Sequence, residues 1–153
     1  MTQYTWIEAS PSDEQDSLAL MQAFYAEDKI LFQPDTALTA TREMLHNPQL
    51  GRIFLLKNPT EPDSAAMGYL VLAFWHSLEF GGRVVVLDEL YLGPAVRGQG
   101  WAPRTLQMVR DWARTQNAVA VRLEVNHHNT RAKSIYLKAG FADDKRDIMT
   151  ERL

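Results

Sequence analysis

The sequence predicts one mixed α/β domain in which a central, largely buried sheet is flanked by helices. Three observations carry that reading. Short segments of alternating or unbroken apolar residues are bounded by turn residues, the mark of strands. Other apolar residues recur at the three-to-four spacing of helices, and one strand pattern passes through a glycine loop straight into a helix start. The chain has 153 residues, enough for one substantial core and hardly enough for two, so residues 1–153 are expected to form a single domain. Hydrophobic and charged fractions of 46% and 23% are ordinary for a globular protein and argue against disorder or a fibrous repeat.

Tyr4, Trp6 and Ala9 suggest a short first strand, after which Ser12 and Asp13 supply helix-start chemistry. Leu18, Met21, Phe24 and Tyr25 then recur at helical spacing in a helix ending near Asp28. Thr36 to His46, with Leu38, Arg42 and Leu45 on adjacent turns, forms a second helix stopped by Asn47-Pro48. Arg52 to Lys57 reads as a strand, and the turn-rich run Asn58 to Ser64 joins it as a hairpin to Met67–Trp75. Gly81-Gly82 marks the next turn. Val84 to Leu87 is apolar at every position, the pattern of a strand covered on both faces. Ala102, Leu106, Val109 and Ala113 line one face of a helix that can hold Pro103 only in its first turn. Val119 to Val125 alternates as a strand, Asn129 to Ala139 forms a further helix, and Gly140 caps it with Phe141 packing back. Lys145 to Leu153 is expected to close the sheet as a last strand.

Composition excludes several function classes. A net charge of −3 with no basic run argues against general nucleic-acid binding and favours a cationic substrate. Trp75, Trp101 and Trp112 therefore read as core or loop packing rather than a base-stacking platform. The absence of cysteine removes disulfides, thiolate metal sites and an enzyme-bound thioester. His127 and His128 are adjacent, diverge in direction and lack a third ligand at useful spacing, so no metal is expected. Met1 to Ser10 lacks a basic stretch followed by an apolar one, and no apolar run approaches the ~20 residues needed to span a bilayer. Cytoplasmic residence without membrane contact is the expectation.

The run Arg97-Gly98-Gln99-Gly100-Trp101-Ala102 stands between a strand and a helix start, where backbone N–H groups bind phosphate. Arg97 contributes positive charge, Gly98 and Gly100 remove side chains that would block an anion, and Ala102 keeps the corner small. A pyrophosphate is the expected ligand. The dinucleotide fingerprint fails because Pro103 stands where it needs glycine or alanine, and the triphosphatase loop fails for want of Gly-Lys-Ser/Thr. There is likewise no G-x-S-x-G nucleophile elbow.

Arg97, Gly100 and Ala102, preceded by Tyr91-Leu92 and followed in order by Asn129, Tyr136 and Gly140-Phe141, carry a resemblance. Val84 to Phe141 resembles the acetyl-coenzyme A-binding half of the GCN5-related N-acetyltransferase superfamily, while the first 60 residues match it only in general layout. The resemblance implies an acyl-CoA N-acyltransferase-like fold, its mixed and mostly antiparallel sheet splayed where the coenzyme enters. It implies acetyl-CoA as co-substrate, with main-chain groups of Leu90 and Leu92 pairing with the pantetheine arm like an added strand. Amides from Gly98 to Ala102 would hold the pyrophosphate, one fewer than usual because Pro103 has no N–H, and Asn129 would help anchor the coenzyme. The stretch G-Y-L-V-L-A-F-W ahead of L-D-E-L-Y-L is similar to the polyamine and small-amine branch. A homodimer is compatible with the resemblance, although the residues define no interface.

The resemblance makes Tyr136 the group that protonates the departing thiolate, and a phenol suits that role through placement and hydrogen bonding. Without the resemblance, Tyr136 reads equally as a core tyrosine on the buried face it shares with Ala132, Ile135 and Ala139. An alkylammonium of pKa about 10.4 costs about 4.6 kcal/mol to deprotonate at pH 7, so a proton acceptor is needed. Asp88 and Glu89 are the candidates, as a relay through water or an electrostatic attractor of the cation. Successive strand residues face opposite ways. Asp88 shares a face with Leu90 and Leu92 in a regular strand, and a bulge would exchange it with Glu89. His76 and Glu79 could line the mouth of the site, but fit a solvated turn as well. The expected reaction is direct attack of a small cationic amine on acetyl-CoA in a ternary complex. Protein or peptide N-acetylation and a non-catalytic acyl-CoA sensor are the alternatives.

Overall fold

The computed structural model describes residues 4–153. Its strands are β1 (Thr5–Glu8), β2 (Gly51–Lys57), β3 (Gly68–Ser77), β4 (Gly82–Leu92) and β5 (Ala120–Leu123). The helices are α1 (Glu14–Asp28), α2 (Pro34–His46), α3 (Trp101–Thr115) and α4 (Thr130–Lys138). The five strands form one sheet in sequence order, antiparallel throughout except for the parallel pair β4–β5. That exception follows from connectivity, because α3 carries the chain back between the two strands.

Helices cover both faces. Leu106, Val109 and Ala113 of α3 bury against Phe54, Leu70, Leu72, Val85 and Leu87, with Trp112 stacked on Phe74 at 5.6 Å. On the other face Met21 of α1 and Ala37 of α2 cover Ile53, Leu55, Tyr69, Val71 and Tyr91. Two sets of ion pairs fix α1 at its start. Lys57 Nζ reaches Asp13 at 2.8 Å and Asp16 at 3.0 Å, and Arg42 grips Glu14 through two bonds of 2.8 Å. A third cluster of Leu56, Val96 and Trp101 holds the first turn of α3 against β2. There the Trp6 indole N–H donates to Thr105 Oγ1 at 3.0 Å, and that hydroxyl donates to the Trp101 carbonyl at 2.7 Å.

The C-terminal segment departs from the sequence expectation. Lys145 to Leu153 forms no strand; the chain is irregular from Phe141 onward. Residues 143–147 are all charged, so the segment offers no alternating apolar face to the sheet. Ion pairs hold it instead, Arg122 to Asp144 at 3.3 Å and Arg146 to Glu79 at 2.7 Å, while Ile148 and Met149 remain exposed. Trp75 also differs from the packing reading. It is 48% exposed, with the Arg122 guanidinium 5.1 Å from its ring.

Gly68 pairs with Leu92 where β3 supports the end of β4, and a Cβ there would meet the Tyr91 carbonyl oxygen at 2.6 Å. Gly68→Ala should therefore lower stability by about 1–3 kcal/mol, read from the urea midpoint at unchanged slope. An unaltered midpoint would mean that the two strands part freely at this point.

Candidate active site

The site begins with a register shift in β4. Val71 pairs with Glu89 but Leu72 pairs with Leu87, leaving Asp88 as an extra residue. The bulge reverses which way the strand faces. Val85 and Leu87 join the α3 core, whereas Tyr91 joins the opposite core under α1 and Glu89 points the same way. β5 then runs out: its pairing ends at Leu87–Leu123, so Asp88 to Leu92 have no strand on that side. Gly93 N–H donates to the Met67 carbonyl at 2.8 Å, and alternation turns the main-chain groups of Leu92 and Leu90 toward the gap. One of them has a partner already, because Arg97 Nε donates to the Leu92 carbonyl at 2.7 Å.

Beyond the gap, a short 3-10 turn (Pro94–Val96) leads into the glycine loop. Gly98 and Gly100 have φ of +72° and +77°, and a Cβ on either would meet nothing within 4 Å. Glycine is needed here for backbone conformation, and the space beside both residues is open. Gly100 is the N-cap of α3; no side chain caps the helix and no acid stands in its first turn. The amides of Gly100, Trp101 and Ala102 are thus left without an intrahelical partner at the positive end of a 15-residue helix, with Pro103 third in the helix and giving none. This donor set suits a pyrophosphate. The Arg97 side chain does not enter the loop: it pairs with Glu27 of α1 at 2.8 Å and lies 5.5 Å over the Tyr91 ring. The Gln99 side chain is likewise turned back, donating to the Ala95 carbonyl at 2.9 Å.

Tyr136 projects from α4 against the α3 core, edge-on to Phe141 at 5.9 Å. Among the described residues its hydroxyl has no hydrogen-bond partner, and burial pushes its pKa up, so the phenol keeps its proton at neutral pH. Gly140 at φ +98° lets the Phe141 N–H return to the Tyr136 carbonyl at 3.0 Å, which fixes this end of the helix. Asn129 has a structural task as the N-cap of α4, its side chain accepting from Ala132 N at 3.1 Å.

Tyr136, Asp88, Glu89 and the glycine loop border one open cleft of about 1740 Å³. Asp88 is exposed at its wall and Glu89 half-buried, and desolvation raises the pKa of both. Hydrogen bonds partly offset that rise for Glu89: the hydroxyls of Tyr25 and Tyr69 both donate to it, the latter at 2.7 Å. Sequence reasoning missed these two tyrosines. It also missed Glu124, which follows β5 directly and borders the same cleft. Period-two alternation past Arg122 was the available signal for Glu124, whereas nothing local links Tyr25 to Glu89. His76 lies outside this cleft, and Glu79 is engaged by Arg146. No group of three or more potential ligands among the described residues could hold a metal ion, and no helix there is long and apolar enough to cross a membrane.

A sheet splayed beside an uncapped, glycine-led helix defines a class of acyl-carrier-binding folds, and the comparisons with known proteins narrow it. The family model described as the acetyltransferase (GNAT) family matches residues 18–141, and the chain belongs to that family. It is 31% identical over 90 residues to the thialysine N-epsilon-acetyltransferase of Bos taurus, which covers 58% of this chain and 52% of the relative. The chain spans about half the length of the curated relatives it matches. An integron cassette protein from the mobile metagenome of Cole Harbour Salt Marsh superposes with a TM-score of 0.81 at 29% identity, over 97% of this chain and 90% of that one. The aminoglycoside N-acetyltransferase AAC(6')-Iy, solved with a bisubstrate analogue of CoA, shares the fold with a TM-score of 0.80 at 17% identity, over 98% of both chains.

Burial raises the pKa of Tyr25, Tyr69 and Tyr136. Unfolded phenols release their protons near pH 10 while these three retain theirs, so their contribution to stability is complete below about pH 10 and declines as pH rises beyond it. Unfolding free energy measured in urea from about pH 9 to about pH 11 should fall, and Tyr69→Phe should flatten the decline. A slope identical in the variant would contradict the assignment.

Proposed function

We propose that the protein is an N-acetyltransferase that moves an acetyl group from acetyl-CoA to a small cationic amine by direct attack in a ternary complex. The observation that carries this reading is the shared cleft: one proton donor, Tyr136, and two carboxylates, Asp88 and Glu89, line the same cleft as the uncapped start of α3. The family and the CoA-bound neighbour support the choice of acyl carrier. Relatives named for thialysine and aminoglycoside N-acetylation support a small-molecule amine. Asp28 and Glu124, neither of which makes an ion pair among the described residues, add negative charge to the cleft, which favours a cation over a neutral acceptor.

When bound, acetyl-CoA supplies an activated thioester. Backbone donors of the Gly98–Ala102 loop hold its pyrophosphate, and the gap-facing main chain of Leu90, with the Leu92 N–H, pairs with its pantetheine arm. Asp88 or Glu89 assists loss of the amine proton, which costs about 4.6 kcal/mol at pH 7 for a lysine-like amine. Their raised pKa narrows that gap without closing it, so a water relay suits them better than direct abstraction. The nitrogen lone pair then forms the amide bond as the carbon–sulfur bond breaks, and Tyr136 gives its proton to sulfur. That last transfer runs uphill, by about 2 kcal/mol or more for a phenol against a thiol of pKa 8.5. The gain from Tyr136 is therefore a hydrogen bond to the developing anion.

Thiol release with a panel of diamines, amino acids and peptides, beside calorimetric titration of acetyl-CoA, tests the proposal. Coenzyme binding without release on any amine would favour a sensor. Tyr136→Phe should cut kcat by about 10²-fold while acetyl-CoA affinity stays within about twofold; equal loss of both would reassign the residue to packing.

Gly100→Val should weaken acetyl-CoA binding by more than about tenfold, through strain at positive φ and intrusion on the phosphate site. Gly81→Val is the control, since Gly81 has φ +81° and open surroundings in a distant turn. It should lose about 1–2 kcal/mol of stability with affinity intact. Similar affinities for the two variants would remove the loop from the binding site.

A further inference from the structure

Two carboxylates border the cleft, and the structure treats them differently. Asp88 forms no hydrogen bond or ion pair to a side chain among the described residues, and it sits on the bulge where the strand is unpaired. Glu89 is gripped on both oxygens: Oε1 accepts from the Tyr25 hydroxyl and Oε2 from the Tyr69 hydroxyl. The donors reach it from separate layers, Tyr25 from α1 and Tyr69 from β3, at sequence distances of 64 and 20 residues. Phe24 locks their rings in turn, with centroids 5.6 Å from Tyr25 and 6.3 Å from Tyr69. Tyr69 is fully buried, so its ring has no alternative position.

A phenol has one proton to give, and both are given to Glu89. A carboxylate has about four lone-pair sites, so two remain for an N–H donor coming from the cleft. Such a fixed anion is the poorer match of the two carboxylates for the nitrogen that reacts. Holding an ammonium against a rigid carboxylate favours its charged form, and the attacking amine must lose that charge. The arrangement suits a positive charge that the acceptor keeps throughout the reaction, and it leaves the unpartnered Asp88 to the nitrogen being acetylated.

We propose that Tyr25 and Tyr69 are positioning residues that fix Glu89 as the counter-ion for a second cationic group on the acceptor, so that the preferred substrate carries two positive charges. The inference rests on the acetyltransferase reading and narrows its substrate class. Burial acts in the same direction by keeping both phenols protonated and therefore donating.

The test is calorimetric titration of diaminobutane and of butylamine into the protein saturated with coenzyme A, for the unmutated chain, Tyr25→Phe, Tyr69→Phe and Glu89→Gln. The unmutated protein should bind the diamine about tenfold more tightly than the monoamine. Tyr25→Phe should remove at least about half of that preference on a logarithmic scale, and Glu89→Gln all of it. A preference that survives in Tyr25→Phe, or that is missing from the unmutated protein, overturns the proposal. Tyr69 is buried and its variant could fail to fold. Tyr25, half-exposed at the cleft, decides the matter if it does, with the thermal midpoint recorded alongside. If the binding preference appears as stated but no amine supports thiol release, the acetyltransferase reading falls and the charge-pairing site stands.

Discussion

The site depends on one extra residue in β4. Asp88 has no partner opposite it on β3, and this single slip lets one strand serve two cores. Ahead of the bulge Val85 and Leu87 pack against α3; after it Tyr91 packs under α1, with Glu89 on the same face. In a regular strand Glu89 would project into the apolar layer of Leu70, Leu106 and Val109, on the face away from the Tyr25 and Tyr69 hydroxyls. The slip also comes at the residue where pairing with β5 stops, so the main chain is released and the carboxylate turned within two positions. A slip of one residue flips every side chain beyond it, and here that flip decides which layer receives the charge.

Charge is sorted along the cleft on the same logic. Net charge is −3, yet no acid stands in the first turn of α3, and no side chain competes for the amides there. Carboxylates gather on the α1 side and at the end of β5 instead. The anionic carrier and cationic acceptor of the proposed function would thus approach the same gap without crossing each other's repulsive ground. The basic residue nearest the loop adds little to this field, because Arg97 spends its charge on Glu27. Attraction for phosphate rests mainly on backbone dipoles, which no side-chain motion can remove.

Much of this was legible in the chain. The strand and helix sequence through Ala139 was readable because each element carries its own period, and the glycine loop because φ beyond +70° at Gly98 and Gly100 demands that residue type. The bulge was visible only as an alternative, since period-two alternation cannot say where it slips. Lys145 to Leu153 was misread as a strand: its β-compatible residues lack the apolar alternation that would seat them, and ion pairs to Arg122 and Glu79 hold the segment as coil. The phenols around Glu89 were invisible in principle. Tyr25 reads as one more apolar position on α1, and only the packing of that helix over β4 turns its hydroxyl into a donor.

That packing gives the last turn of α1 contact with both halves of the site, and its two links differ in strength. Glu27 and Arg97 are each nearly half-exposed, and such a pair contributes about 0–1 kcal/mol, less at higher salt. The Tyr25 bond to a half-buried carboxylate belongs to the charged class, worth about 1.5–3 kcal/mol, and Tyr69 holds the same group from below. The helix end is thus moored firmly to the carboxylate and loosely to the glycine loop. Lys29 in the left-handed region closes the helix on the Tyr25 carbonyl, so the hydrogen bonding continues to its final residue. On the proposed function, a pyrophosphate at the loop would compete with Glu27 for the outer nitrogens of Arg97, whose Nε is held by the Leu92 carbonyl, and would leave Glu89 where the two phenols hold it.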